Sequence, residues 1–209
     1  MSKINYLSSS IKQYLDDLSS NKPSPGGGSA AALVASCGVS CLLMVVNFTI
    51  EKKGYEQYQQ QLKEILNQLE QHRQQLQEYI DKDAQAYSSV VEAYKLPKDT
   101  PLDIEIREKK IQEALKNSTT VSFEIMLLTH KCLPYAEKLV KIGNKNLVTD
   151  IACGALFLSA GIQAAKYNVV INLKHIKDSN FIENIKPQIR KIVTDAKIIS
   201  KKVLQKIQI

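Results

Sequence analysis

Apolar residues recur along this chain at the three- and four-residue steps of helices, and no run alternates in twos between turn signals. Ile4, Leu7, Ile11, Leu15 and Leu18 predict an amphipathic helix over residues 4–19. The turn Asn21-Lys22-Pro23-Ser24-Pro25-Gly26-Gly27-Gly28 ends it. Ser29 is then placed as the N-cap of a helix without charge, which Glu51-Lys52-Lys53-Gly54 closes. Residues 55–95 carry the longest period. Tyr55, Leu62, Leu69, Leu76 and Val90 repeat in sevens, and Tyr58, Ile65, Tyr79, Ala86 and Ala93 give a second seam. Leu96-Pro97 stops that run. Thr100-Pro101 opens the next helix, with Pro at its first position and Asp103 and Glu105 in its first turn. It is expected to reach about Lys131, to break or kink at Pro134, and to be followed by a short piece ending at Gly143. Residues 147–173 form a nearly charge-free helix, and residues 180–207 a last one, bent or restarted near Pro187. The fold class is all-α: an antiparallel up-and-down bundle of long helices, in a single domain over residues 1–209.

Composition supports helices. Of 209 residues, 44% are hydrophobic, with no Trp and only eight Gly and six Pro. The stretch from Pro23 to Ile50 holds no charge and is long enough to cross a bilayer. Its Ala, Ser, Gly and Cys content, and the amphipathic helices that must pack on something apolar, predict a buried helix and no membrane span. The formal charge is +7, much of it on Lys186, Arg190, Lys191, Lys197, Lys201, Lys202 and Lys206. A solvated helix face explains these lysines. A basic surface also suits an anionic ligand, whereas the lack of interleaved aromatic residues argues against nucleic acid. Cys37, Cys41, Cys132 and Cys153 lie in apolar company and predict reduced core thiols. No apolar run of signal-peptide length follows Lys3, so a cytoplasmic location is expected. His72, His130 and His175 are scattered and complete no metal-ligand pattern, so no metal is expected.

Three features could carry chemistry. Asp83 occupies a heptad position otherwise held by apolar residues, with Tyr79 and Tyr87 one turn to either side. A carboxyl at the edge of an apolar stripe is desolvated, and its raised pKa suits acid/base work; a satisfied structural aspartate reads equally well. Gly26-Gly27-Gly28-Ser29 could bring backbone amides and a helix N-terminus to an anionic group, or could be a plain turn. Asp150 and Asn168 stand five helical turns apart on one face, near the line of Gly154, Gly161 and Asn172. That row reads as a ligand groove or, somewhat better, as a close helix–helix contact.

Together these segments resemble the formimidoyltetrahydrofolate cyclodeaminase and methenyltetrahydrofolate cyclohydrolase family. Pro25-Gly26-Gly27-Gly28-Ser29 before an Ala-rich helix is similar to its entry motif. Asp81-Lys82-Asp83-Ala84-Gln85-Ala86-Tyr87 resembles its acidic motif, and Lys95-Leu96-Pro97-Lys98-Asp99-Thr100-Pro101 the loop after it. Gly143-Asn144, Asp150 and Asn168-Val169-Val170-Ile171-Asn172-Leu173 resemble its last segment. The resemblance implies a helical homodimer with a folate substrate and no separate cofactor. It implies Asp83 as the catalytic aspartate, with Asp81 as second choice. Gly26, Gly27, Gly28, Ser29, Asn144, Asp150, Asn168 and Asn172 would bind substrate. The chain carries no formimidoyltransferase domain, which favours hydrolysis of 5,10-methenyltetrahydrofolate to 10-formyltetrahydrofolate over the ammonia-releasing cyclodeaminase reaction. A non-catalytic folate-binding or interaction helical dimer is the expectation of a different class.

Overall fold

The computed structural model describes residues 5–207, which contain six long or medium helices and no strand. The predicted first helix divides in two. The Asn5 side chain caps a short 3-10 turn, Tyr6–Ser8, and Ser10 caps α1, Ile11–Leu18. Ile4 lies outside the described residues. The face that meets the protein differs from the expected one: Tyr6 and Tyr14 are buried, whereas Ile11 is 78% exposed and Leu7 and Leu15 are exposed too. The Tyr6 and Tyr14 rings join the core while their hydroxyls find polar partners, which aliphatic side chains could not do.

Helix α2, Gly27–Asn47, begins two residues before Ser29, so Ser29 is not its N-cap. Gly26 holds that position in an extended conformation and provides no side-chain cap. Helices α3, Gln59–Lys95, and α4, Pro101–Ile142, form a long hairpin. The α4 start follows the sequence signals: Thr100 and Asp103 make a reciprocal capping box, with Pro101 just inside. Of the expected break or kink at Pro134, the break does not occur: α4 runs on through the proline. The proline forfeits one backbone bond, but its ring faces solvent while Cys132, Leu133 and Ala136 are fully buried around it. Core packing on both sides outweighs that loss. Helix α5, Val148–Leu173, follows another 3-10 turn, and α6, Ser179–Lys206, runs on through Pro187.

Helix α2 packs against α3 and α5, and α4 also packs against α3 and α5. The four therefore close a ring, and short connections make successive helices antiparallel. Helix α6 lies across α4 and α5, and the first 3-10 turn rests on α3. The heptad residues Leu62, Leu69 and Leu76 are fully buried in this ring. Both α2 and the stretch Lys145–Leu173 are long and apolar enough to span a membrane by composition alone, and α2 is the more deeply packed of the two. The small residues on α5 settle one alternative. A Cβ on Gly161 would sit 3.1 Å from Ala35 Cβ, and one on Gly154 would sit 2.7 Å from Leu42 Cδ2. That part of the row is a close contact with α2 and leaves no room for a groove.

The expectation of four core thiols holds for Cys132 alone. Cys37 and Cys153 are exposed, Cys41 is half-buried, and all four are free. The C-terminal lysines are exposed along α6, as a solvated face requires.

Candidate active site

The heptad seam of α3 delivers Asp83 to the interior, where it is only 7% exposed. Its position in the seam makes this burial a consequence of the seven-residue period. Opposite it stands the first turn of α2. A Cβ on Gly28 would lie 2.1 Å from Asp83 Oδ1 and 2.5 Å from its Cγ, so the carboxylate occupies the volume of a side chain that Gly28 lacks. The first amides of a helix have no partners within it and attract negative charge. Since α2 lacks a side-chain cap, the Asp83 carboxylate, coming from another helix, supplies the charge that this terminus favours.

Burial pushes the Asp83 pKa up to about 6. The Ser29 backbone amide and the Ser122 hydroxyl oppose that rise. Ser122 Oγ, on α4, donates a long hydrogen bond of 3.4 Å to Oδ1. One turn back on α4, Ser118 Oγ accepts a 3.1 Å bond from Asn172 Nδ2 on α5. Asn168, one turn before Asn172, lies beside the glycine turn: its amide would be 3.7 Å from a Cβ on Gly27. Asp83, Gly27, Gly28, Ser29, Asn168 and Asn172 thus gather at one end of the bundle, with Ser118 and Ser122 beside them. The two serines sit in a helix interior without any motif, which is why sequence reasoning missed them.

Asp81 has a different employment. Its Oδ1 accepts a 2.8 Å bond from the Tyr6 backbone N–H and so anchors the N-terminal segment to α3. Asn144 and Asp150 are not brought to Asp83. Asn144 donates its backbone N–H to Thr49 Oγ1 at 2.9 Å and its side-chain amide to the Phe48 carbonyl. It therefore ties the α4–α5 connection to the far end of α2, about 30 Å from Gly28 at 1.5 Å per residue. Asp150 sits at the start of α5, near Cys41. Five turns put Asp150 and Asn168 on one face, but also about 27 Å apart. Volume does not mark the site either: clefts of about 530 and 560 Å³ lie along the α3–α4 hairpin, and Asp83 lines neither.

Residues 10–191 match the formiminotransferase-cyclodeaminase family. The chain belongs to that family. Methenyltetrahydrofolate cyclohydrolase of Methylorubrum extorquens is 33% identical over 198 residues, 95% of each chain. The formimidoyltransferase-cyclodeaminase of Mus musculus is 28% identical over 191 residues, and this chain spans 35% of its length. The crystal structure of formiminotetrahydrofolate cyclodeaminase from Thermotoga maritima superimposes with a TM-score of 0.86 at 30% identity, over 95% of this chain and 96% of that one. In this member of the formiminotransferase-cyclodeaminase family, the glycine turn and the acidic motif meet in one place.

The Gly28 contact predicts an order of sensitivity. Gly28→Ala should displace the Asp83 carboxylate and remove most ligand binding or turnover, while Gly27→Ala, with neighbours at 3.7 Å, should be tolerated. Comparing the two purified variants by circular dichroism and by activity checks this; equal behaviour of the two would refute it.

The raised pKa of Asp83 also has a stability consequence. A carboxyl that ionises near 6 when folded and near 3.8 when unfolded favours the folded state in its protonated form. That contribution is complete below the unfolded value and is lost as pH rises through about 6. Asp83→Asn should therefore be more stable than the parent at pH 7, by at most ~3 kcal/mol. The difference should shrink towards pH 4, and urea denaturation at the two pH values measures it.

Proposed function

We propose that the protein hydrolyses 5,10-methenyltetrahydrofolate to 10-formyltetrahydrofolate, with Asp83 as the proton-transferring group. The observation that carries this reading is the buried Asp83 carboxyl, poised near pH 6 against a side-chain-free helix terminus. The Methylorubrum extorquens relative, named for that reaction and matched along nearly its whole length, supports it.

In the substrate the one-carbon unit bridges two nitrogens as a cation, which an adjacent carboxylate favours electrostatically. Asp83 takes a proton from water as the water oxygen bonds to that carbon. The resulting carboxylic acid returns the proton to the ring nitrogen as its bond to the carbon opens. The carbon keeps the oxygen as a formyl group on the other nitrogen, and the second water proton leaves to solvent. General acid/base help of this kind is worth roughly 10²–10⁴-fold. Asn168 and Asn172 offer amide donors and acceptors that match a pterin edge, and the glycine turn leaves the approach open. No separate cofactor enters this scheme.

The cyclodeaminase reaction is the second reading, favoured by the name of the Thermotoga maritima structure. There the same group would protonate the departing ammonia. Purified protein given each folate separates the readings. The formyl product is expected from the methenyl substrate without ammonia, at a rate that falls as pH is lowered through about 6 and Asp83 takes up its proton. Asp83→Asn should lower that rate by roughly 10²–10⁴-fold. Fast ammonia release from the formimidoyl substrate, with no accelerated hydrolysis of the other, would establish the second reading instead. Turnover of neither would leave a binding or interaction protein.

We also propose that the protein is a soluble homodimer acting in the cytoplasm. Leu156, Phe157, Tyr167 and Ile171 line an exposed, nearly uncharged face of α5 that runs beside α2. Such a face suits an equally uncharged partner, which a second copy provides. Light scattering of protein purified without detergent should give twice the chain mass; a stable monomer, or partition into membranes, would refute this.

A further inference from the structure

The first turn of α2 poses a mechanical problem. It must hold its position against Asp83 to within a fraction of an ångström, since Gly28 and the carboxylate interlock. Yet it is entered through Gly26, Gly27 and Gly28, the residues with the greatest conformational freedom, and it has no side-chain cap. The N-terminal segment supplies what the glycines lack. Tyr6 OH donates to the Ser24 carbonyl at 3.0 Å, just before the glycines. Tyr14 OH shares a 3.1 Å hydrogen bond with Ser29 Oγ, just after them. The two rings meet edge to face, with centroids 5.5 Å apart. Asp81 holds the pair to α3 through the Tyr6 backbone. Ser29 is fully buried and Tyr14 nearly so.

We propose that Tyr14 is a positioning residue for Asp83: its hydroxyl, by holding the Ser29 side chain, fixes the glycine turn so that the Ser29 amide faces the carboxylate. The inference rests on the reading of Asp83 as the acid/base group. Tyr14 is close enough to Asp83 for the two to repel as anions, and burial, Asp83 and Asp81 all push the Tyr14 phenol pKa up, against the Ser29 hydrogen bond. The phenol therefore stays neutral and acts as a hydrogen-bonding strut. The titratable group whose charge couples to Asp83 is Tyr14 from α1. Helix α2 faces it with Gly28 and Ser29 and α4 with Ser122, none of them charged. A loosened Ser29 amide would favour the carboxylate less, so the Asp83 pKa would rise further.

Tyr14→Phe keeps the ring packing on Tyr6 and removes only the strut. Selective ¹³C labelling of aspartate carboxyls, with Asp83→Asn to assign the signal, reads the Asp83 titration without any turnover. Tyr14→Phe is expected to raise its midpoint by roughly half a unit to one unit, and to carry the acidic limb of the rate profile upward with it. Ser29→Ala removes the same contact from the α2 side and keeps the amide; it should give the same displacement, and it decides the matter alone if Tyr14→Phe fails to fold. The double variant should shift no further than either single one. An unchanged or lowered midpoint, or single effects that add, overturns the inference. A raised midpoint in a protein whose turnover ignores Asp83 would leave the strut standing and sink the acid/base reading, so the two failures are distinguishable.

Discussion

The interlock of the Asp83 carboxylate with Gly28 is the constraint on which the rest of the site depends. A carboxylate can occupy the space of a missing side chain only if that residue is glycine. It can approach the helix terminus so closely only if α2 begins there, with no capping side chain of its own. Both conditions come from the glycine turn. The terminus in turn gives the buried charge a favourable field, which a helix interior would not. The close α2–α5 contact at Gly38, Gly154 and Gly161 then holds the amide-bearing end of α5 beside the turn.

Two aspartates in this protein are covered by their neighbours, and their contrast shows what kind of group Asp83 is. Asp17 is shielded but shallow. It accepts from Lys22 Nζ at 2.5 Å and from Gln13 Nε2 at 3.0 Å, and the Lys22 hydrogen bond leads in pulling its pKa down. Asp83 lies deeper, has one long side-chain bond from Ser122 beside the Ser29 amide, and its pKa moves the other way. A structural carboxylate is surrounded by donors until its charge is cheap to keep. Asp83 retains a proton affinity near neutrality, which costs stability and which packing alone gives no reason to preserve.

Much of this was legible in the sequence, and the parts that were not share a cause. The seven-residue period located α3, the near absence of charge located α5, and the Thr100-Pro101-Asp103 signal located the start of α4, because those features are local. At Pro134 a break stayed open beside a kink because the local cost of a proline says nothing of the packing around Cys132 and Ala136. In the first helix, Ile11 and Leu15 counted as core while Tyr6 and Tyr14 did not, because apolar periodicity ignores a ring whose hydroxyl is needed. The Asp150–Asn168 spacing gave a shared face correctly. A face is a direction, however, and a site needs proximity along the axis as well. Asn144 lies far from Asp83 for the same reason: motifs that occur in order along a chain of antiparallel helices can lie at opposite ends of the bundle.

The division of labour among helices follows from these positions. Helix α2 is the most deeply packed element and brings no functional side chain to the carboxylate, only backbone and the absence of Cβ atoms. Apart from Ser29, whose hydroxyl meets Tyr14, the side chains that donate, accept or titrate come from its neighbours: Asp83 from α3, Ser118 and Ser122 from α4, Asn168 and Asn172 from α5, Tyr14 from α1. Substitutions on α2 at the site would therefore change whether the site exists. Substitutions on α4 and α5 would change what it holds. The discrimination between attacking water and departing ammonia then has to be sought around Ser118, Asn168 and Asn172, since Asp83 would serve either reaction alike.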